Sequence, residues 1–313
     1  MPVSMRAIRQ HTLGGPEVLE LVDVPRPEPA PTEVLVRAAA AGVNPVDWKT
    51  RTRGGFLGTP PFTVGWDIAG VVEEVGRGVT RFEPGDRVFG MPRFPREAAA
   101  YAEYVTSPSR QLAPIPDGVG DVEAAALPLA GLTAWQALVE TAGIGLGSRV
   151  LILAAAGGVG HLAVQIAKAR GAYVIGTARA AKHAFLAGLG ADEAVDYTTQ
   201  RVGERVRNVD VVLDLVGDES SVDALVCLRA GGLFVSVPSG SGLPALQEAA
   251  GDRARVIGIL VEPDRLGMDA IADLAAAGKL RPHVERTFPL EDAAKAHELG
   301  ETGRTRGKLV LTV

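Results

Sequence analysis

The chain has 313 residues, a formal net charge of -5 and a single cysteine. That length predicts about two domains. The acidic balance, without a basic run interleaved with aromatic residues, argues against a nucleic-acid surface, and one cysteine excludes both a disulfide framework and a site built on several cysteines.

The N-terminal residues and the longest uncharged stretch indicate where the protein resides. Residues 1–20 contain no apolar signal core, so we expect a cytoplasmic protein. Residues 150–167 carry no Asp, Glu, Lys or Arg, but their AAAGGVGH centre predicts strand, turn and helix rather than a membrane span. The expected partner is therefore a small molecule, with no nucleic acid and no membrane.

The first part of the chain consists of short apolar runs separated by Gly and Pro. Their spacing and mixed alternation predict an antiparallel, barrel-like domain. The expected strands are 6–8, 19–24, 33–41, 68–75 and 86–89.

Beyond Val122 the pattern changes to helical periods and then to repeated strand and helix segments, which predict a parallel sheet. After Gly278 this period breaks down, and residues 308–313 predict a strand. We therefore expect an α/β domain at 122–279, inserted between residues 1–121 and a C-terminal return at 280–313. The expected strands of the parallel sheet are 150–153, 174–177, 209–213, 233–237 and 256–260.

Residues 150–160, VLILAAAGGVG, predict a dinucleotide-binding turn. Ala155, Gly157 and Gly160 have the fingerprint spacing, in which the second small residue admits a pyrophosphate and the third lets helix and strand pack closely. A strand precedes the turn and a helix follows it, within a βαβ unit of about 30 residues. The alternative is an Ala/Gly-rich loop formed for packing alone. The expected binding residues are Ala156, Gly157, Gly158, Val159 and Gly160.

The residues after the second strand favour NADP(H) over NAD(H). An NAD enzyme usually places Asp or Glu there, but this chain has Arg179 and Lys182, and its first acid is Asp192. A guanidinium and an ammonium suit the 2′-phosphate. The alternative is a solvated helix start with incidental basic residues. Since ligands gather at the carboxyl ends of parallel strands, the strand-end residues Val216, Pro238 and Ser239 are also expected to line the cofactor site.

Five stretches, in a single order, carry a family resemblance: residues 42–47 (GVNPVD), 65–72 (GWDIAGVV), 84–90 (PGDRVFG), 154–160 (AAAGGVG) and 306–308 (RGK). Together they resemble medium-chain dehydrogenase/reductases of the quinone oxidoreductase branch. The resemblance implies a Rossmann doubly wound sheet inserted into a GroES-like, mostly antiparallel β-barrel domain, with the active site in the cleft between them. It also implies a homodimer joined through edge strands near 233–237. It adds Tyr197, Thr133, Asn44 and Lys308 to the residues expected to bind cofactor.

The ligands of zinc-dependent members of the superfamily are missing here. Those members have a cysteine near the position of Asn44, a His-Glu pair where this chain has Trp66 and Asp67, and a further cysteine where it has Ala130. Catalytic zinc needs three protein ligands, so no metal site is expected. The five histidines, at positions 11, 161, 183, 283 and 297, show no ligand spacing and are interpreted as surface or packing residues.

The catalytic candidates are Asn44, Asp67 and Trp48. An Asn44 amide can donate and accept hydrogen bonds, but Asn before Pro is also common in turns. Asp67 is expected to orient a neighbouring group rather than to donate a proton. Trp48 and Phe56 would form an apolar wall for a flat acceptor, or else belong to the core.

Three further residues complete the candidate set. Lys49 and Tyr104 are weaker candidates, for which a solvated lysine and a strand tyrosine are the ordinary interpretations. Cys227 is expected to be buried in a helix far from every motif, so no covalent intermediate on the protein is expected.

Without zinc to stabilise an alkoxide, the chemistry favoured is hydride transfer from NADPH to a quinone or an α,β-unsaturated carbonyl. Such an acceptor spreads the incoming charge onto a distal oxygen, and solvent can supply the proton. Two alternatives remain: a dedicated enoyl reductase of a biosynthetic pathway, and a non-catalytic NADPH-binding protein of the same fold. The sequence does not identify the acceptor.

Overall fold

The computed structural model describes residues 3–238 and 242–313, and its contacts divide the chain into two units. The first unit comprises Met1–Leu132, Glu262–Gly278 and Pro282–Val313. The second comprises Thr133–Val261 and Lys279–Arg281. None of the helices in the described ranges is long and apolar enough to cross a bilayer.

The N-terminal segment of the first unit is rich in strands, because its apolar runs are short and are interrupted by Gly and Pro. Its elements are β1 (Ser4–Arg9), β2 (Glu20–Pro25), β3 (Glu33–Val43), α1 (Pro45–Arg53), β4 (Asp67–Val75), β5 (Arg87–Gly90), β6 (Tyr104–Pro108), β7 (Leu112–Pro114), α2 (Asp121–Ala125) and α3 (Pro128–Trp135), in which the segment ends.

The second unit is a parallel sheet with intervening helices. Its strands run in the order β10 (Glu193–Val195), β9 (Tyr173–Thr177), β8 (Arg149–Ile152), β11 (Val209–Asp214), β12 (Leu228–Ser236) and β13 (Ala254–Gly258). Numbered along the chain, this is the 3-2-1-4-5-6 order of a doubly wound nucleotide-binding fold. The predicted Rossmann-type sheet is therefore confirmed. Its elements are β8 (Arg149–Ile152), α4 (Gly160–Ala169), β9 (Tyr173–Thr177), α5 (His183–Gly188), β10 (Glu193–Val195), α6 (Val202–Arg205), β11 (Val209–Asp214), α7 (Glu219–Leu225), β12 (Leu228–Ser236), α8 (Gly242–Ala250) and β13 (Ala254–Gly258).

The chain then returns to the first unit, whose sheet has the order β14 (Val284–Pro289), β15 (Lys308–Thr312), β3, β4, β5 and β7, with β6 also paired to β3. All of these pairs are antiparallel except β14 with β15, so the predicted mostly antiparallel sheet is confirmed as well. The returning elements are α9 (Arg265–Ala276), β14 (Val284–Pro289), α10 (Ala293–Glu301) and β15 (Lys308–Thr312).

Helix α9 groups with the first unit, which differs from the predicted boundary at residue 279. Arg81, in the turn before β5, pairs with Asp269 of α9, and Ile271 of the same helix lies close to Gly131. Ile271 is fully buried, as expected for the apolar face of an amphipathic helix. Residues 122–132 also belong to the first unit, although the sequence pattern placed them with the parallel sheet.

Two further expectations were wrong in detail. Residues 233–237 were expected at an edge of the parallel sheet, but β12 lies between β11 and β13, and β13 (Ala254–Gly258) is the edge strand. The expected homodimer stays a prediction. Cys227 is fully buried as expected, but it lies in the turn between α7 and β12, because α7 ends at Leu225.

Candidate functional site

The turn between β8 and α4 is tied to the end of the neighbouring strand β9. Thr177 accepts two hydrogen bonds from the turn: its Oγ1 from the N–H of Ala154 at 3.0 Å, and its carbonyl from the N–H of Ala155 at 3.0 Å. Ala154 has a φ of +50°, a left-handed conformation that is unusual for a residue with a side chain. The turn, which continues from β8, is thus also fixed to β9 by these two hydrogen bonds.

Glycine occupies positions 160 and 157 of this turn for different physical reasons. A Cβ on Gly160 would collide with the carbonyl oxygen of Ala154 and come within 2.7 Å of the Cα of Ala155, so this position requires glycine for close packing of α4 on β8. A Cβ on Gly157 would meet only the Ala154 oxygen, at 3.3 Å, and would otherwise point into open space. Gly157 is therefore not required by the protein's own packing.

Three consecutive amides of the turn remain available to a ligand. The N–H groups of Gly158, Val159 and Gly160 have no hydrogen-bond partner within the described part of the chain. Orphan amides at a helix N-terminus bind anions, and phosphate oxygens are typical acceptors there. The residues expected to cradle a pyrophosphate therefore fit that group. Ala156 itself is buried against the protein.

The basic residues after β9 lie together with the predicted tyrosine. The Nε of Arg179 donates to the phenolic oxygen of Tyr197 at 3.2 Å, and Lys182 closes the short turn Ala180–Lys182 that follows. Asp196, next to the tyrosine, accepts from the N–H of Ala180 at 3.1 Å and so anchors one loop on the other. The exposed arginine and tyrosine share one surface and suit a phosphate.

The other strand ends of the second unit are organised by Asp214, a residue that the sequence reasoning missed. Its fully buried carboxylate accepts from the N–H of Val216 at 2.9 Å, the N–H of Gly217 at 3.1 Å and the hydroxyl of Ser236 at 3.1 Å. The sequence feature that could have identified Asp214 is its position as an acidic residue directly after the apolar run 209–213. Pro238 follows β12.

Two other cofactor candidates have simpler placements. Ser239 lies outside the described residues. Thr133 is almost fully buried in α3.

The catalytic candidates of the first unit meet where three neighbouring strands begin or end. Asn44 follows β3, Asp67 begins β4 opposite Gly42, and Lys308 begins β15, whose next residue pairs with Val43. The close approach of these residues requires glycine at position 42, because a Cβ there would lie 2.7 Å from the Asp67 carboxylate and would collide with the backbone oxygen of Ala125. Sheet register therefore brings together three residues that are distant in sequence.

The hydrogen bonds of this cluster fix the Asn44 amide in one orientation. Its Nδ2 donates to Oδ2 of Asp67 at 2.8 Å, and its Oδ1 accepts from Nζ of Lys308. The reverse orientation would set an NH₂ group against an ammonium and a carbonyl against a carboxylate. One Nδ2 proton is left over, with no partner in residues 3–238 and 242–313.

Lys308 uses all three of its N–H donors within the protein. Besides Asn44, its Nζ donates to the carbonyl of Val43 at 3.0 Å and to Asp67 at 3.4 Å. An ammonium has three donors and no acceptor, so the ammonium is saturated in this arrangement. The sequence placed Lys308 among the cofactor-binding residues, whereas the geometry favours a role in orienting Asn44.

Asp67 is enclosed by donors. It is fully buried and also accepts from the N–H of Leu129 at 2.7 Å. Burial raises the pKa of Asp67 above its usual range, and Lys308, Asn44 and the Leu129 amide act against that rise. This environment favours the predicted orienting role for Asp67.

The remaining candidates of this unit are spread over different surroundings. Trp48 faces α10, with its ring 6.1 Å from that of His297 and against Gly300, so the structure favours the core interpretation. Lys49 is exposed. Phe56 is 45 % exposed and packs edge-to-face on Phe94.

Tyr104 lies on β6 under the guanidinium of Arg26. It is therefore engaged by an ordinary cation–π contact.

A second buried polar group was missed altogether. Asp47 accepts from the N–H of Asn44 at 2.7 Å and from the hydroxyl of Tyr101 at 3.0 Å, and that hydroxyl also contacts His297 at 3.1 Å. All four side chains are essentially inaccessible to solvent. The Asn44-x-x-Asp47 spacing is a helix-capping signal, whereas nothing local pointed to Tyr101 or His297.

The donor set of this cluster does not suit zinc. Trp66 and Asn44 occupy positions where zinc-dependent members of the superfamily have zinc ligands. The Lys308 ammonium already lies against the Asp67 carboxylate. No group of three or more His, Cys, Asp or Glu side chains suited to a metal occurs in the two described ranges. Zinc independence stays a prediction, and no chemistry is assigned to a metal here.

Comparison with known proteins places these features in a family. Residues 30–117 match the family model for the alcohol dehydrogenase GroES-like domain, and residues 189–311 match that for zinc-binding dehydrogenase. The chain is 37% identical over 319 residues to a quinone oxidoreductase of Pseudomonas aeruginosa, with 95% of this chain and 96% of the relative covered. It is 35% identical over 336 residues to a 2-haloacrylate reductase of a Burkholderia species, with 96% and 97% covered.

A solved structure agrees over the same length. The crystal structure of Escherichia coli quinone oxidoreductase complexed with NADPH is similar with a TM-score of 0.88 and 31% identity, covering 98% of this chain and 100% of that chain. The GroES-like and Rossmann architecture expected from the sequence is thereby confirmed. The chain belongs to the medium-chain dehydrogenase/reductase superfamily, in its quinone oxidoreductase branch, and is an oxidoreductase.

Proposed function

We propose that this protein transfers hydride from NADPH to a quinone or an α,β-unsaturated carbonyl, without a metal ion. The names of its relatives agree with this class of acceptor, since quinones and 2-haloacrylate both carry a carbon–carbon double bond conjugated to a carbonyl. NADPH supplies the hydride when bound. The protein contributes binding, orientation and hydrogen bonds.

The observation that chiefly carries the proposal is the contact between Arg179 and Tyr197, with Lys182 in the same turn. In the doubly wound fold the residue after the second strand reads the ribose. A guanidinium braced by a phenol presents charged and neutral donors to a 2′-phosphate, whereas NADH offers a hydroxyl that neither group selects. The nearby carboxylate of Asp196 is already engaged by the N–H and hydroxyl of Thr198.

The remaining Nδ2 proton of Asn44 is assigned to the nicotinamide or to the acceptor oxygen. Lys308 and Asp67 hold the amide so that this donor is preorganised, and the low-dielectric surroundings strengthen the bond that it makes. No side chain in this cluster is assigned as proton donor, and solvent can supply the proton.

The test is steady-state oxidation of NADPH and NADH with a panel of quinones and enones, using the wild type, Arg179→Ala and Tyr197→Phe. A charged hydrogen bond to phosphate makes us expect Arg179→Ala to weaken NADPH binding about tenfold or more and to leave NADH nearly unchanged. Arg207→Ala is the matched control, because Arg207 is also an exposed arginine and its guanidinium donates to the adjacent carbonyl of Val206 at 2.7 Å.

Each alternative has its own signature in this experiment. Equal turnover with NADPH and NADH would contradict the cofactor assignment. Tight NADPH binding without oxidation by any acceptor would point to a binding protein. Weak turnover of every generic quinone and enone, with tight cofactor binding, would point to a dedicated enoyl reductase.

A further inference from the structure

A buried chain of hydrogen bonds connects α10 to the residue that precedes α1. Arg51 donates through Nη1 to Nδ1 of His297 at 3.1 Å, Nε2 of His297 meets the hydroxyl of Tyr101 at 3.1 Å, and that hydroxyl donates to Asp47 at 3.0 Å. Asp47 in turn accepts from the N–H of Asn44 at 2.7 Å. We propose that Tyr101, His297 and Arg51 are positioning residues for the reaction, because they hold Asp47 in the orientation that fixes Asn44.

The direction of every bond in this chain is determined by its ends. Arg51 can only donate, so Nδ1 of His297 is the acceptor and Nε2 carries the proton. Nε2 therefore donates to Tyr101, whose own proton is left for Asp47. Burial and the nearby Arg51 guanidinium lower the pKa of His297 to about 3, which keeps the ring neutral and this tautomer in place at physiological pH.

The outer end of the chain is anchored near the surface. Nη2 of Arg51 pairs with Glu301 of α10 at 2.7 Å, and Nε of Arg51 donates to the carbonyl of Gly14 at 3.1 Å. The Arg51 side chain is 2% exposed and that of Glu301 is 33% exposed. The guanidinium is thus held on several sides, so the imidazole that it orients has a fixed position.

Asp47 is the group on which the chain acts. Its Oδ2 takes both hydrogen bonds, while its buried Oδ1 has no partner in the described ranges. The charged groups that act on it are Asp67, which disfavours its ionisation, and Lys308, which favours it. Burial dominates and raises the pKa of Asp47 to about 7, so its charge changes close to neutral pH.

The two protonation states of Asp47 hold Asn44 differently. The carboxylate accepts the Asn44 N–H as a charge-assisted bond, which is about twice as strong as a neutral one. Protonation of Asp47 weakens this bond, so Asn44, whose side chain is assigned to the ligand, is held less firmly. The inference rests on the proposed role of Asn44, and it predicts a kcat that rises as the pH increases through about 7.

The test compares the pH dependence of kcat in the wild type and in Tyr101→Phe. Loss of the phenolic donor disfavours the Asp47 carboxylate, so the inflection should move to higher pH, by about one pH unit for one hydrogen bond to a charged group. Tyr173→Phe is the matched control, because it also removes a phenol-to-carboxylate bond, here to Glu193 at 2.8 Å.

An alkaline shift in Tyr101→Phe, without a shift in Tyr173→Phe, supports the proposal. An unmoved inflection, or an equal shift in the control, overturns it. If Tyr101→Phe fails to fold, Asp47→Asn decides: loss of the inflection supports the proposal, and its persistence overturns it.

A readout without turnover separates this inference from the proposed function. The pH dependence of urea unfolding reports the ionisation of Asp47 whether or not any acceptor is reduced. Suppose that the wild type does not oxidise NADPH but that Tyr101→Phe moves its pH profile of stability to higher pH. This result contradicts the proposed function and still supports the link between Tyr101 and Asp47. If the wild type is active but Tyr101→Phe shifts neither the pH profile of kcat nor the pH profile of stability, the inference is contradicted and the proposed function is not.

Discussion

Replacing Lys308 with Met tests the buried ion pair at the centre of the first unit. Met is close to Lys in length and is apolar, so the change removes the ammonium with little change in volume. Asp67 would keep the donors Asn44 Nδ2 at 2.8 Å and Leu129 N–H at 2.7 Å but would lose its only cationic partner in the described cluster. Asn44 would lose the donor that fixes its amide oxygen.

The expected cost follows from the geometry. Two unit charges separated by the 3.4 Å between Nζ and Oδ2 attract with about 5 kcal/mol at an effective dielectric constant of about 20. Breaking a buried pair from one side costs about 3–5 kcal/mol. Because two donors to Asp67 remain, we expect Lys308→Met to lower the free energy of unfolding by about 3 kcal/mol at neutral pH.

The loss should depend on pH in a defined direction. Without Lys308 the pKa of Asp67 in the folded protein rises further above its value in the unfolded chain. The folded form then binds the proton more tightly, so the penalty is absent below the unfolded pKa and grows as the pH rises toward the folded pKa. The gap between wild type and variant should therefore shrink in acid.

Urea unfolding monitored by tryptophan fluorescence at several pH values measures both quantities. Trp48 and Trp66 lie in the first unit and Trp135 lies in the second, so two of the three tryptophans report on the part of the chain that contains the pair. Lys295→Met is the control, because Lys295 makes an exposed pair with Asp292 at 2.8 Å, and no measurable change is expected there. The double variant Asp67→Asn with Lys308→Met should recover most of the loss. A cost no larger than that of the control, or one independent of pH, would refute the reasoning.

Four further outcomes are expected. Gly160→Ala should lower the thermal midpoint of the cofactor-free protein, whereas Gly157→Ala should lower it much less, although both weaken NADPH binding in a fluorescence titration. Ala154→Gly should raise the free energy of unfolding by about 1 kcal/mol, since glycine adopts the left-handed conformation without strain; an unchanged urea midpoint would contradict this. Burial raises the pKa of Cys227 to about 11, so a thiol reagent should label the protein only after unfolding, as counted by mass spectrometry. Asn44→Ala should reduce kcat/KM toward an enone, and unchanged efficiency would remove its assigned role.

Features written into short stretches of sequence were predictable. The strand, turn and helix at 150–169 depend on local apolar period and small residues, and the parallel sheet follows from repeating that pattern. Arg179 and Lys182 could be found by counting from the turn, since the βαβ unit has a nearly fixed length. Asp47 was within reach too, because its spacing from Asn44 is a capping pattern.

Features created by pairing between distant segments were not predictable. The run 233–237 resembles any other buried strand, and only the strand order shows that β13 is the edge. His297 and Tyr101 carry no local signal, and their contact spans 196 positions. Trp48 was ambiguous for the same reason, since its neighbours on α10 lie far along the chain.

The strand that carries Lys308 also sets an order of events during synthesis. Lys308 follows Asp67 by 241 positions, which at about 5–20 residues per second means a delay of roughly 10–50 s on the ribosome. During that interval Asp67 lacks its cation, and one edge of β3 lacks its partner β15. The second unit, Thr133–Val261 with Lys279–Arg281, is synthesised entirely within the same interval. We therefore expect the parallel sheet to mature first, and nascent chains stalled before Lys308 to depend on chaperones that shield the open edge of β3.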